Sequence, residues 1–353
     1  MNNLSNGRHL GEGNFPRANF WWILRWLAVI LALGFFLWWA LRNVPFEDIV
    51  YVLAALKWSQ IGWLLVINAA VIGLITARWW LIVRASNPRV PFLPMVGYRL
   101  AVFGLSYFTP GPQVGGEPLQ VVYLQRNHKL TFARSTASVI MDKLVEFLVN
   151  FLLLSGGFFA VLETGILSEG EGISIFGLIG IGILLTWPLV HLVFLYNRIL
   201  PISALLKALP FLAKNAKPVR MVIVSERMAS RFCRNHTGSL FGAIGVSILA
   251  VAGIMAEYML MARFLGVNLD LIEMFAALTF LQLAFLVPLP GGLGAMEASQ
   301  VFIFSVVGEP AAAAISLTLL QRGRDILNGG LGLLLTGRDL SNRARLFRTS
   351  RRG

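Results

Sequence analysis

Residues 240–264 read LFGAIGVSILAVAGIMAEYMLMARF, a run in which only Glu257 and Arg263 are charged. A helix needs about 20 predominantly apolar residues to cross a hydrocarbon core, and this run supplies them. The same reading extends outward along the chain, where candidate spans fall at 21–41, 61–83, 137–162, 173–196, 240–264 and 310–336. The 353 residues are 57% hydrophobic and only 13% charged, where an ordinary soluble domain carries about 25% charged residues. These features predict an all-α, polytopic transmembrane helical bundle. A transmembrane β-barrel is excluded, because its strands would alternate polar and apolar residues over segments of about 10 residues.

The first span follows Arg8 and Arg17. It is too long for a signal peptide and lacks a small-residue cleavage site, so it reads as a membrane helix. Two further apolar regions are interrupted. One, about 91–124, is broken by TPGPQVGGEP (109–118), and the other, about 271–307, by PLPGGLG (288–294). Neither arm of either region comfortably makes a full crossing, so each reads as a re-entrant helical hairpin or as a broken helix.

Loop charges assign the sides. The loop after 137–162 carries Glu163, Glu169 and Glu171 without Lys or Arg, so it faces outside. The loop 197–239 carries Arg198, Lys207, Lys214, Lys217, Arg220, Arg227, Arg231 and Arg234 against Glu226, so it faces inside. The tail 337–353 has six arginines against Asp339 and is also inside. Arg84 and Arg89, and then Arg126, Lys129 and Arg134, place two more loops inside. The loop 42–60 carries both signs and assigns no side. Six crossings then place both termini in the cytoplasm of a cell-membrane protein. The organisation is a cytoplasmic segment 1–20, one membrane domain 21–336 and a basic tail 337–353. The domain's halves, 21–196 and 240–336, are joined by 197–239. There, Leu205, Leu206, Leu209 and Leu212, then Val219, Val222, Ile223 and Met228, interleave with basic residues. They read either as amphipathic helices on the cytoplasmic face or as a solvated connector.

This topology requires the first hairpin to enter from the inside and the second from the outside, which implies an inverted repeat. The tips support it. Pro112, Gly115, Gly116, Glu117 and Gln120 parallel Pro290, Gly291, Gly292, Glu297 and Gln300, and the glutamates stand 180 residues apart. The glycine-to-glutamate spacing differs between the copies, and Gly/Pro breaks also simply end helices. Discontinuous helices at the interface of inverted repeats are a recurrent transporter plan.

Ionisable residues inside a membrane are functional candidates by default. Glu117 and Glu297 follow glycine-rich breaks, where unwound backbone persists only if buried in protein or lining a wet cavity. Each could meet a cationic headgroup, carry a proton or cap its own helix. A second set comprises Arg78, Arg99, Asp142, Lys143, Glu146, Glu257, Arg322, Arg324 and Asp325. Asp142 with Glu146, and Arg322 with Asp325, share helix faces. They form either a pathway for a phosphate-bearing headgroup or internal ion pairs. Arg78 is expected to snorkel near a membrane face, with Trp79 and Trp80 as an interfacial belt.

The net charge of +13 sits in loops and at the C-terminus. It reads as the positive-inside bias plus attraction to anionic headgroups, not as a nucleic-acid footprint. Cys233 is the one cysteine, and His9, His128, His191 and His236 are scattered, so no metal site or cofactor is expected. GGEP follows no β-strand and is not a nucleotide fingerprint. Walker, GxSxG and Asp-x-Asp patterns do not occur, so no soluble-type catalytic residue is expected.

TARWWLIV (76–83), YFTPGPQVGGEPLQVVYL (107–124), SVIMDKLVEF (138–147), VPLPGGLGAMEAS (287–299) and LQRGRDILNGGLG (320–332) resemble the lysylphosphatidylglycerol synthase transmembrane-region family of flippase-like membrane proteins. The string Pro290-Gly-Gly-x-Gly294-x-x-Glu297 is the most specific match. Where the family pattern has Asp-Arg, this chain has Asp142-Lys143, which keeps the charge. The resemblance covers roughly 20–340 and implies a domain that moves an aminoacylated phospholipid between leaflets. The family's soluble aminoacyltransferase domain is not expected here, since 17 residues follow the last expected span. Aminoacyl-tRNA-dependent synthesis is therefore not expected.

The expected function is lipid translocation through a polar cavity between two halves. The candidate substrate-binding residues are Glu117, Glu297, Gly115, Gly116, Gly291, Gly292, Gly294, Gln120, Gln300, Asp142, Lys143, Arg322, Arg324 and Asp325. The alternatives are a membrane-embedded enzyme using Glu117 or Asp142 as base, and an accessory scaffold for a lipid-modifying partner enzyme.

Overall fold

A computed structural model describes residues 54–108, 116–163, 175–208, 216–285 and 292–350, with 47, 50, 51 and 287. The expected first span, the 1–20 segment, most of each hairpin tip, Gly115 and Gly291 lie outside the described residues. Among the described residues the chain is helical and has no strand. The helices are α1 (Trp58–Ser86), α2 (Phe92–Phe108), α3 (Glu117–His128), α4 (Phe132–Glu163), α5 (Ile175–Tyr196), α6 (Pro201–Ala208), α7 (Ala216–Asn235), α8 (Thr237–Phe264), α9 (Leu271–Ala284), α10 (Ala295–Val306) and α11 (Ala311–Ser350). Three of them, α1, α4 and α8, are long and apolar enough to cross a membrane. Helix α11 continues past 336, so the expected boundary between last span and tail is not a break in secondary structure.

The most extensive helix pairing joins α1 to α8. Buried residues recur at helical period on both. On α1 they are Leu64, Asn68, Val71, Arg78 and Ile82, and on α8 Leu240, Ala243, Ser247, Ala250, Glu257 and Met261. The opposite faces keep Ile248, Leu249 and Phe241 exposed, as lipid-facing helices do. Between helices in lipid there is no hydrophobic drive, so close packing of small residues carries the association. Ala243, Ser247 and Ala250 supply that surface here.

Both interrupted regions are hairpins, not continuous kinked helices. In the first, Tyr98 of α2 stacks on Tyr123 of α3 with centroids 4.5 Å apart, and Asn127 Nδ2 donates to Tyr98 Oη at 2.7 Å. In the second, Gln300 Nε2 of α10 donates to the Ala277 carbonyl of α9 at 3.1 Å, and Phe280 packs on Phe302. At 1.5 Å per residue the four arms are roughly 26, 18, 21 and 18 Å long, short of a core about 30 Å thick.

Each hairpin docks on the far half of the chain. α2 packs along α11, and α9 packs along α4. The contacts are backbone-close. A Cβ on Gly332 would collide with the Leu100 carbonyl, and one on Gly157 with the Thr279 side chain. Only glycine permits these approaches.

Within the 197–239 segment the described residues form α6 and α7. Ala229, Phe232 and Cys233 of α7 are buried with Ile82, Met141, Leu144, Leu195 and Ala243 in one apolar cluster. Glu226 is buried and anchors α6, its oxygens accepting from the backbone N–H of Ile202 at 2.9 Å and of Ser203 at 2.7 Å. A carboxylate at a helix N-terminus suits the positive end of the helix dipole. A second, larger apolar cluster centres on Tyr258, Met261, Met296, Ile303, Phe304 and Leu317 and takes in Leu64 of α1 and Ala160 and Val161 of α4.

Candidate functional site

The long helices α1, α4 and α8 carry buried charges, and Arg78, Asp142 and Glu257 each have an ion-pair partner. Arg78 of α1 is 3% exposed. Its Nε donates to Asp142 Oδ1 at 2.6 Å and its Nη2 to Glu146 Oε2 at 2.5 Å. Asp142 and Glu146 are one turn apart on α4, which is why one guanidinium reaches both. Arg99 of α2 adds Nη1 to Asp142 Oδ2 at 2.9 Å and Nη2 to Glu146 Oε2 at 3.4 Å. Lys143 Nζ lies 3.0 Å from Glu146 Oε1 and 3.4 Å from Glu117 Oε1, the latter in the first turn of α3. This first network therefore sets Arg78, Arg99 and Lys143 against Glu117, Asp142 and Glu146.

A second network stands in the other half. Arg324 Nη1 of α11 donates to Glu257 Oε2 of α8 at 2.9 Å, and its Nη2 lies 2.8 Å from Asp325 Oδ1. Arg322 holds Glu297 bidentately, with Nη2 to Oε2 at 2.8 Å and Nε to Oε1. Glu297 Oε2 also accepts the Gly294 N–H at 2.8 Å, so capping and pairing coexist in one carboxylate. The Tyr107 hydroxyl engages Arg322 from α2. Here two cations, Arg322 and Arg324, face three carboxylates, Glu257, Glu297 and Asp325.

A cavity of about 330 Å³ joins the two networks. Its wall includes Arg78, Arg99, Glu117, Gln120, Lys143 and Glu146 from one side and Glu257, Arg324 and Asp325 from the other. Polar groups from α1 and α8 cross between the networks. Arg78 Nη1 donates to Ser247 Oγ at 3.3 Å, and Asn68 stands beside Glu257. Tyr107, Asn150 and Asn328 complete the polar wall. Gln120 is fully buried, and both of its amide atoms lack a hydrogen-bond partner. Lys143, Glu146 and Arg324 are the accessible members, their side chains 22 to 26% exposed.

The expected site residues therefore divide. Glu117, Gln120, Lys143, Arg324 and Asp325 meet on the cavity wall. Asp142 is fully buried behind it, held by the two arginines. Gly116 is packed against Val102 and Ser106, and its N–H donates to Ser106 Oγ at 3.0 Å. Glu297, Gly292, Gly294 and Arg322 form a buried knot outside the cavity lining, where Arg322 Nη2 also reaches the Gly292 carbonyl at 3.4 Å. Gln300 is tied to Ala277 and to Tyr258 Oη, 2.6 Å away, and is a structural strut. Gly115 and Gly291 are outside the described residues.

Two expectations fail, and one candidate pairing is replaced by another. Arg78 does not snorkel, because two carboxylates on α4 hold it inside the bundle. Trp79 is fully buried, so it forms no interfacial belt. Trp80 instead donates Nε1 to the Val90 carbonyl at 2.9 Å and carries Arg84 over its ring. Arg322 does not pair with Asp325, since Arg322 turns to Glu297 and Arg324 takes Asp325. Asn68, Tyr107, Asn150, Ser247 and Asn328 are wall residues that a search confined to charges passes over. Their signal is a neutral polar side chain inside an apolar run.

Spacing relates the networks. Asn68 and Ser247, Arg78 and Glu257, Lys143 and Arg322, and Glu146 and Asp325 each stand 179 residues apart.

The family described as the lysylphosphatidylglycerol synthase TM region matches residues 25–328. A UPF0104 membrane protein of Pyrococcus horikoshii is 24% identical over 260 residues, covering 69% of this chain and 76% of that protein. No solved structure matches the chain.

Proposed function

Because this chain belongs to the lysylphosphatidylglycerol synthase transmembrane-region family, we propose that it moves a phosphate-bearing lipid headgroup between leaflets through the central cavity. The observation that carries this reading is the cavity itself. It lies between helices of both halves of the chain, and charged residues from both halves stand in its wall. Burying so many charges is costly, and a purely structural bundle gains little from it, since well-packed apolar residues often match a buried ion pair in stability.

The two halves are read as an inverted repeat about the α1–α8 interface. The 179-residue spacing of four polar pairs, beside the 180 between the tip glutamates, and the reciprocal docking of α2 on α11 and α9 on α4 support that reading. Rocking of one half against the other would then expose the cavity alternately. The most exchangeable contact is Lys143 with Glu117, a 3.4 Å pair between partly exposed side chains. A headgroup phosphate would replace Glu117 on Lys143, while Arg78 and Arg99 stay locked on Asp142. The second network has one carboxylate more than it has cations, so it suits the positive part of a headgroup or a proton. The wall's carboxylates are all held by cations, which favours a binding role over general-base chemistry.

A leaflet-exchange assay tests the proposal. Purified protein in liposomes is given fluorescent phospholipids of several headgroups, and outer-leaflet quenching is followed in time. Protein-dependent exchange that is lost in Lys143→Gln, with folding intact, supports translocation. Absence of exchange for every headgroup, with the protein folded, sinks it and leaves the enzyme and scaffold readings.

A further inference from the structure

A second cavity, of about 260 Å³, lies away from the ion-pair networks. It is bounded by the end of α1, the start of α4, the end of α7 and the turn into α8. Its polar wall is Ser86, Arg134, Ser138, Arg231, Asn235 and His236, over a floor that includes Met141 and Phe232. No carboxylate lines it. Among the described residues neither Arg134 nor Arg231 has an ion-pair partner. This is the reverse of the central cavity, where every cation is matched. Both arginines are exposed to solvent at the cavity and are available to an incoming anion. Their planar donor forks fit a phosphate in two-point fashion.

The surroundings identify the source of that phosphate. Phe132, two residues before Arg134, is 40% exposed, and Phe241, five residues after His236, is 68% exposed. Large apolar side chains on the same ends of α4 and α8 sit naturally among acyl chains. A soluble anion would not need them. Amphipathic segments with basic residues commonly meet anionic lipid at such a surface.

We propose that this cavity binds the phosphate of an anionic phospholipid, with Arg134 and Arg231 as its ligands and Ser138, Asn235 and His236 as additional hydrogen-bonding groups. The bound lipid joins α7 to α4 and α8. It is held, not transported, and the site does not depend on the translocation reading.

The test is lipid retention by the purified protein, measured by native mass spectrometry after exchange into detergent with added phosphatidylglycerol. The comparison is among wild type, Arg134→Gln/Arg231→Gln, Arg134→Lys/Arg231→Lys and Lys143→Gln. The glutamine pair is expected to weaken one phosphatidylglycerol adduct by at least roughly tenfold, the scale of a lost charge-assisted hydrogen bond. The lysine pair should restore part of it, and Lys143→Gln should leave it unchanged. An adduct equally strong in the glutamine pair overturns the proposal. Loss of the adduct in Lys143→Gln instead assigns it to the central cavity and also overturns it. A final arm adds inorganic phosphate alone: displacement of the lipid by phosphate at millimolar concentration would make the ligand a soluble phosphate and overturn the lipid assignment.

Discussion

Arg78 and Glu257 occupy the same place in two helices that pack against each other, each the twenty-first residue of its helix, and they carry opposite charges. Across this pair the signs are exchanged: Arg78 of α1 meets acids of α4, while Glu257 of α8 meets a cation of α11. The two members of this relationship differ in what they hold. Arg78 neutralises a carboxylate with no solvent exposure, Asp142.

Removing Arg78 should therefore be severe. Arg78→Ala leaves Asp142 with Arg99 alone, and breaking a buried pair from one side costs about 3–5 kcal/mol. The expected result is a large fall in the thermal midpoint in detergent. Asp142→Asn introduced into the same chain should recover much of it. A midpoint unchanged in Arg78→Ala would show that the network does not stabilise the fold.

Glu297 and Arg322 should behave as a unit. Either Glu297→Gln or Arg322→Gln alone strands a buried charge, whereas the double variant removes both. The double variant is expected to be less destabilised than the two single effects combined, with a coupling of about 0.5–3 kcal/mol in a double-mutant cycle. Additive losses would contradict the bidentate pairing. This result also bears on exchange assays, because loss of transport in Glu297→Gln would then report damaged packing.

The hairpin docking makes a prediction with an internal control. Gly332→Leu drives a side chain into the Leu100 carbonyl of α2, whereas Gly330→Leu, two residues away, meets open space. Overpacking of this kind costs typically 1–3 kcal/mol or more. Gly332→Leu should lower the thermal midpoint and Gly330→Leu should not. Equal behaviour would place α2 elsewhere.

Cys233 reports on the seating of α7. Its thiol is buried, 3.8 Å from Met141 Sδ, and burial pushes its pKa up to about 11. Alkylation requires the thiolate, whose fraction in the native protein rises with pH only toward that value. At pH 8 native labelling should be on the order of 10²–10³ times slower than labelling of the denatured chain, in which the thiol returns to about 8.5. Rapid native labelling would mean that α7 lifts off the bundle.

Much of this architecture can be read from the residues. Apolar runs locate α1, α4 and α8 to within a few residues, because membrane thickness sets their length. The Gly/Pro breaks locate both hairpins, because neither arm can cross. Partner choice is less legible. Asp142 and Glu146 share a face at sequence spacing four, so their joint hold on one arginine follows from helix geometry. Arg322 and Asp325 obey the same local rule and part company, because Glu297 arrives from a hairpin whose docking depends on contacts far away in sequence. Arg78 illustrates the same limit. Proximity to a helix end suggested the interface, but the α4 carboxylates decided its position.

The reciprocal docking of the hairpins also has a consequence in time. Gly104 of α2 rests on Gly329 of α11, and 225 residues of chain separate them. At synthesis rates of about 5–20 residues per second, α11 emerges roughly 11 to 45 s after α2. For that interval the first hairpin exists without the surface that receives it. The docking of α2 therefore cannot be completed half by half and waits until the last long helix has been made.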